Sequence, residues 1–74
     1  MQKRKLLRKI GKNIQIVRQE KGLTQETFAE LMGVSWSYVS KIEAGIINLS
    51  IGKINEIANF LDVEVDVLLK IVEN

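Results

Sequence analysis

An all-α fold, a compact bundle of five short helices, is what this sequence predicts, and three observations carry the prediction. Apolar side chains recur three and four residues apart in successive stretches, as in Ile10, Ile14 and Val17 or Ile54, Ile57, Ala58 and Leu61. That is the period of helices with one buried face. Helix stops and starts punctuate these stretches: Gly22, Gly33 and Gly45 close segments, and Thr24, Ser35 and Ser50 stand where the next ones begin. Nothing argues for strands, repeats or low-complexity linkers, and the absence of Pro is compatible with helix throughout.

The first helix is expected from about Leu6 to Lys21, with Gly11 as a weak point and Gly22 as its stop. Leu6, Leu7, Ile10, Ile14 and Val17 give it an apolar stripe. The second covers about 25–32 behind Thr24, with Phe28, Ala29, Leu31 and Met32 as its apolar side. A tight turn at Gly33-Val34-Ser35 leads to a third helix at about 36–43, whose inner face is Val39 and Ile42. Small Ala29, four residues before Gly33, suits two helices whose backbones cross closely. Ser50 caps a fourth helix near 51–61, with Ile51, Ile54, Ile57, Ala58 and Leu61 inward. The last helix starts near Val65 behind Glu64, a poor cap, and carries Leu68, Leu69 and Val72.

Composition excludes several functions. With 74 residues the chain makes one domain with a modest core, near the size where a fold needs good packing or a partner. It has neither Cys nor His, so disulfides, thiolate chemistry, zinc-finger sites and His-based acid–base catalysis are out of reach. No cofactor is called for. Carboxylates such as Glu26, Glu30, Glu56, Asp62, Glu64 and Asp66 are scattered, and Ser35, Ser37 and Ser40 have no His partner, so the chain does not read as an enzyme. No apolar run approaches the roughly 20 residues of a membrane span, and the basic N-terminus lacks the apolar stretch of a signal peptide. The expectation is a cytoplasmic protein with no membrane partner.

The net charge of +2 conceals an asymmetry. Residues 1–21 carry eight Lys or Arg against the single acid Glu20, whereas residues 22–74 carry three bases and eight acids. Residues 1–9 thus read as a basic arm or an extension of the first helix, ahead of a domain over 10–74. A positive segment on a slightly acidic body suits attraction to phosphate, although a solubilising tail looks the same over residues 1–5. Membrane-surface binding by this stripe is disfavoured, because Ile14 and Val17 are needed for the core.

Residues 24–43 carry the most information. Two short amphipathic helices joined by a tight turn leave the far face of the second one free. At about 3.6 residues per turn, Ser37, Ser40, Lys41 and Ala44 point away from Val39 and Ile42, and Trp36 lies at the boundary. Ser hydroxyls bond to any base edge and Lys donates to guanine. Ser35 as N-cap leaves backbone N–H groups free to meet phosphate, and Gln25 is placed to do the same. A solvated Ser–Lys face is the plainer alternative; the turn, the small residues and the short helices together favour contact with double-stranded DNA.

At these residues the sequence resembles the phage repressor and Cro group, the xenobiotic-response-element type of helix-turn-helix proteins. The matching text covers roughly residues 10–69: Ile10-Gly11, Ile14, Val17-Arg18, Gly22-Leu23-Thr24-Gln25, Phe28-Ala29, Gly33-Val34-Ser35, Val39-Ser40-Lys41-Ile42-Glu43 and Gly45, then Asn48, Ser50, Ile54, Ile57-Ala58, Leu61, Val63 and Leu68-Leu69. The resemblance implies a lambda-repressor-like DNA-binding domain that usually binds operator DNA as a dimer. It implies that Gln25 holds a phosphate and braces the base-reading side chains. Trp36, Ser37 and Lys41 fall on base-reading positions, with Ser40 facing the DNA backbone. Arg18 and Glu43 match a pair that often bridges the first and third helices; two separate surface charges are the alternative. Among short members the chain most resembles restriction–modification controller proteins and small phage repressors.

Five positions depart from the family pattern. Ile46 and Ile47 stand where Lys or Arg is common, in a loop that touches phosphate. Leu49 replaces a common Pro, and Thr27 replaces a Glu that would complete a capping box with Thr24. Asp62 stands where Gly is usual, although Asp tolerates the left-handed conformation better than most residues. Trp36 has two readings, pressing on a thymine methyl or sugar edge, or folding back on Tyr38 or a nearby loop. Phe60, Val67 and Ile71 fall partly off the inward stripes and suggest a homodimer interface around the last two helices.

The leading expectation is therefore a sequence-specific transcriptional regulator that binds an inverted repeat. No small-molecule ligand is expected. The alternative is a protein-interaction module of the same fold, antitoxin-like, with little DNA affinity; Trp36, Ile46 and Ile47 are its best support.

Overall fold

The computed structural model describes residues 2–70 and holds five helices: α1 (Lys3–Glu20), α2 (Gln25–Met32), α3 (Trp36–Glu43), α4 (Ile51–Leu61) and α5 (Val65–Leu69). No strand occurs among the described residues. α1 packs on α3 and α5, α2 on α3 and α4, and α4 on α5.

Three helices start the same way. Thr24, Ser35 and Ser50 sit in extended backbone, and each side-chain oxygen accepts the N–H three residues on, from Thr27, Tyr38 and Lys53 at 3.0, 3.1 and 3.0 Å. Each cap satisfies one of the orphan donors of a helix start. Thr27 cannot reach back as Glu would; instead the Thr24 hydroxyl donates to the Thr27 hydroxyl at 2.9 Å.

Four helices also end the same way. Gly22, Gly33, Gly45 and Asp62 take left-handed backbone, with φ of 75°, 71°, 76° and 58°. At each, the N–H of that residue and the N–H of the next bond back to carbonyls of the last turn, as in Gly33 N to Glu30 O at 3.1 Å and Val34 N to Ala29 O at 3.0 Å. This is the Schellman closure, and it places an aliphatic residue after each turn: Leu23, Val34, Ile46 and Val63. Asp62 is the one non-glycine with positive φ among the described residues.

The core comes from all five helices. Ile10, Ile14 and Val17 of α1 meet Phe28 and Ala29 of α2, Val39 and Ile42 of α3, Ile54, Ile57, Ala58 and Leu61 of α4, and Leu68 of α5. Ile47 and Leu49 pack on its edge. The loop before α4 is thus held by the Leu49 side chain rather than by the fixed φ of a Pro.

Several sequence expectations need correction. α1 starts at Lys3, three residues before Leu6, with the Leu6 N–H bonded to Gln2 O at 3.1 Å; nothing in residues 3–6 breaks a helix. Gly11 is no weak point. It is buried, and a Cβ there would lie 2.5 Å from Ile42 O and 2.6 Å from Glu43 O, so its missing side chain lets α1 meet the end of α3 backbone to backbone. Gly33, by contrast, has nothing within 4 Å of such a Cβ and serves only its left-handed turn. Leu31 is 52% exposed and Ile51 is 68% exposed. Leu31 lies off the arc shared by Phe28, Ala29 and Met32, and Ile51, the first residue of α4, lies at the helix end away from most of the stripe. The Ile71 and Val72 positions fall outside the described residues.

Candidate nucleic-acid interface

α3 buries Val39, Ile42 and Glu43 and turns its other side outward. Trp36 is 57% exposed, Ser37 and Lys41 are exposed, and Ser40 is half-buried. Ser35 is exposed, its oxygen engaged with the Tyr38 N–H; its hydroxyl hydrogen remains for an outside acceptor. α3 thus presents Trp36, Ser37 and Lys41 to solvent beside the start of α2.

Behind that face runs a chain of polar contacts. Trp36 Nε1 donates to Gln25 Oε1 at 2.9 Å, and Gln25 Nε2 donates to Glu43 Oε1 at 3.0 Å. The Arg18 guanidinium grips the same carboxylate with two bonds, Nε to Oε2 at 2.6 Å and Nη2 to Oε1 at 3.0 Å. Its Nη1 donates to the Leu23 carbonyl at 2.6 Å. Arg18 and Glu43 are both buried, and no buried side-chain polar atom among the described residues lacks a partner. The chain ties α1, the turn after it, α2 and α3 together.

The chemistry of its ends sets its direction. An indole nitrogen can only donate, and an ionised carboxylate can only accept. The Gln25 amide between them must therefore place its oxygen toward Trp36 and its nitrogen toward Glu43. A flipped amide would set donor against donor and acceptor against acceptor. One Gln25 N–H is left over, so the amide can give a hydrogen bond outward and recognise an acceptor. The Trp36 ring is neither free nor part of the core: its nitrogen is tied down while more than half of the residue stays in solvent.

The resemblance implies that Gln25 braces the base-reading side chains, but residue spacing alone did not show the Trp36–Gln25 bond, which depends on how two helix starts face each other across the turn. Sequence reasoning also missed Asn13. From mid-α1 its amide donates to the carbonyls of Leu68 and Lys70, at 2.9 and 2.7 Å, and pins the end of α5. A mid-helix Asn of low helix propensity was the available hint.

Of the remaining singled-out residues, Phe60 and Val67 are 36% and 41% exposed on α4 and α5. Ile71 lies outside the described residues. Ile46 is 70% exposed, whereas Ile47 is partly buried. Among the described residues there is no cluster of His, Cys, Asp or Glu able to hold a metal ion, and no helix long and apolar enough to cross a membrane.

A family model described as "Helix-turn-helix" matches residues 14–68, well over half of the chain. The chain belongs to this family. An uncharacterized HTH-type transcriptional regulator of Sinorhizobium fredii, y4mF, is 35% identical over 59 residues, which is 80% of this chain and 78% of that protein. The restriction-modification controller protein C.AhdI from Aeromonas hydrophila is similar in structure, with a TM-score of 0.82 and 38% identity over 92% of this chain and 99% of that one. The hypothetical transcription factor NHTF from Neisseria is also similar in structure, with a TM-score of 0.79 and 31% identity, covering 90% of this chain and 78% of that one. This helix-turn-helix protein is thus a transcriptional regulator by family and not an enzyme, and its family membership implies DNA binding.

Proposed function

We propose that this regulator reads a specific duplex sequence with α3 in the major groove, as a cytoplasmic homodimer on an inverted repeat. Trp36, Ser37 and Lys41 face base edges. Gln25, Ser35 and Ser40 hold the adjoining phosphates, and the basic end of α1 adds charge. The observation that carries this reading is the chain from Arg18 through Glu43 and Gln25 to Trp36, which fixes the start of α3 against α2 from behind. A network anchored on the buried Arg18–Glu43 pair and running out to Trp36 under an exposed helix face holds that face in one geometry, which sequence readout requires and a solvated surface does not.

The dimer rests on Phe60 and Val67, two exposed apolar side chains on helices that pack on each other. A two-fold axis there would place two copies of α3 about one DNA turn apart. Binding should weaken with salt by ~10³ or more between 50 and 200 mM if about six phosphates are neutralised.

Selection of binding sites from a random duplex pool at moderate salt tests the reading. Enrichment of an inverted repeat with half-sites about 10 base pairs apart is the expected result. Folded protein that enriches nothing would instead favour a protein partner meeting Trp36 and Ile46.

A further inference from the structure

The basic end of α1 is built against the rules for a free helix. Its first turn holds Lys3, Arg4 and Lys5 with no acid, and the N-cap residue Gln2 supplies no side-chain bond. Cations at a helix start oppose the helix dipole. Arg4 and Arg8, one turn apart, repel each other. Among the described residues the ion pairs are Arg18–Glu43 and Lys53–Glu56, so no described carboxylate relieves this end. An anion placed here would offset these unfavourable terms by its own attraction to the cations and to the positive end of the helix dipole.

The same side chains form one wall of a groove of about 570 Å³, whose other wall is the turn after α3. Lys3, Arg4 and Arg8 face Ile46 and Asn48 across it, and no acidic residue lines it. The two walls touch: a Cβ on Gly45 would lie 2.7 Å from the Arg8 Cα, so the backbones meet there. Ile46 is the second signal. It occupies the position after a left-handed turn where Leu23, Val34 and Val63 tuck against the core, yet it stands 70% exposed.

We propose that this groove binds a stretch of sugar-phosphate backbone of the same duplex that α3 reads. Arg4 and Arg8 pair with phosphates, the Asn48 amide donates to a phosphate oxygen, and Ile46 lies against deoxyribose. The mixture of cations with the aliphatic side chains of Leu7 and Ile46 matches a strand that alternates anionic phosphate with apolar sugar. An acidic peptide would meet the same charges, but the groove begins at Ala44 and Gly45, directly after α3, and that continuity selects the duplex. The proposal rests on the reading of α3 given above.

The test uses the duplex recovered by selection and the full chain carrying Arg4→Gln and Arg8→Gln. Affinity is measured across a salt series, and phosphates are mapped by ethylation interference. The expected result is a log–log salt slope shallower by about 2, since each phosphate contact contributes about 0.9. The affinity loss should be similar on selected and unrelated duplexes. A set of phosphates whose ethylation blocks the native protein should no longer matter to the variant. Lys12→Gln with Lys21→Gln, an equal loss of charge on α1 and just after it, outside the groove, should leave that map intact. If the double variant folds poorly, Arg4→Gln alone should erase part of the same set. An unchanged interference map in the Arg4/Arg8 variant overturns the proposal, even with a shallower slope. Native protein that binds no duplex would instead overturn the α3 reading and the groove with it, an outcome visible before any variant is compared.

Discussion

The turns that end α2 and α3 share one backbone and bury opposite chemistry. Each closes on a left-handed glycine, Gly33 or Gly45, with matching return hydrogen bonds. Two residues before the first glycine is Leu31, 52% exposed; two before the second is Glu43, a buried carboxylate. One residue after the first is Val34, packed on the core; one after the second is Ile46, out in solvent. Polarity is inverted at the second turn. The first turn follows the ordinary logic of a small fold, whereas the second joins the ion-pair network to the basic groove. Positions that break a local rule are where a binding surface is expected.

The widest gap should separate Glu43 from its counterpart Leu31. Glu43→Ala strands the buried Arg18 charge and should cost roughly 3–5 kcal/mol, whereas Leu31→Ala should stay within about 0.5 kcal/mol. Urea denaturation of both variants measures the gap, and a loss under 1 kcal/mol for Glu43→Ala would break the comparison.

The glycines should differ next. Gly45→Ala combines the left-handed penalty with a Cβ 2.7 Å from Arg8 Cα, for a loss above about 2 kcal/mol. Gly33→Ala meets open space and should lose only about 1 kcal/mol. Equal losses in thermal unfolding would show that the α1 contact is not rigid.

A smaller contrast concerns the residues after them. Val34→Asp forces a carboxylate toward the core and should cost about 2 kcal/mol, while Ile46→Asp should leave stability within about 0.5 kcal/mol. On the proposed reading, Ile46→Asp weakens duplex binding all the same, because it sets an anion against phosphate. Asp62→Gly should likewise move stability by no more than about 0.5 kcal/mol, since relief of the left-handed Asp is offset by a freer unfolded chain.

Much of the fold was legible because helix starts and stops are local. Thr24, Ser35, Ser50 and the positive-φ residues mark boundaries without reference to the rest of the chain, and α2, α3 and α4 occupy the expected spans. The close approach at Gly11 was not legible, because a mid-helix glycine looks like a weak point until another backbone is known to press on it. Burial failed at Leu31 and Ile51 for a related reason: a short stripe on a short helix does not say where the body of the protein ends. For the candidate site, the outward direction of Ser37 and Lys41 could be read from helical period, and the Arg18–Glu43 pairing was implied only by family resemblance. The role of Gln25 as a one-directional link between Trp36 and Glu43 needed the relative placement of α2 and α3.

On the proposed reading, α3 reads bases while its surroundings hold phosphate. Lys41→Ala tests it most directly, by titration of native and variant protein with the selected duplex and with an unrelated duplex of equal length at one salt concentration. The expected result is a loss of about 1–3 kcal/mol on the selected duplex and a much smaller loss on the unrelated one. Equal losses on the two would remove Lys41 from the base-reading set and contradict the placement of α3 in the major groove.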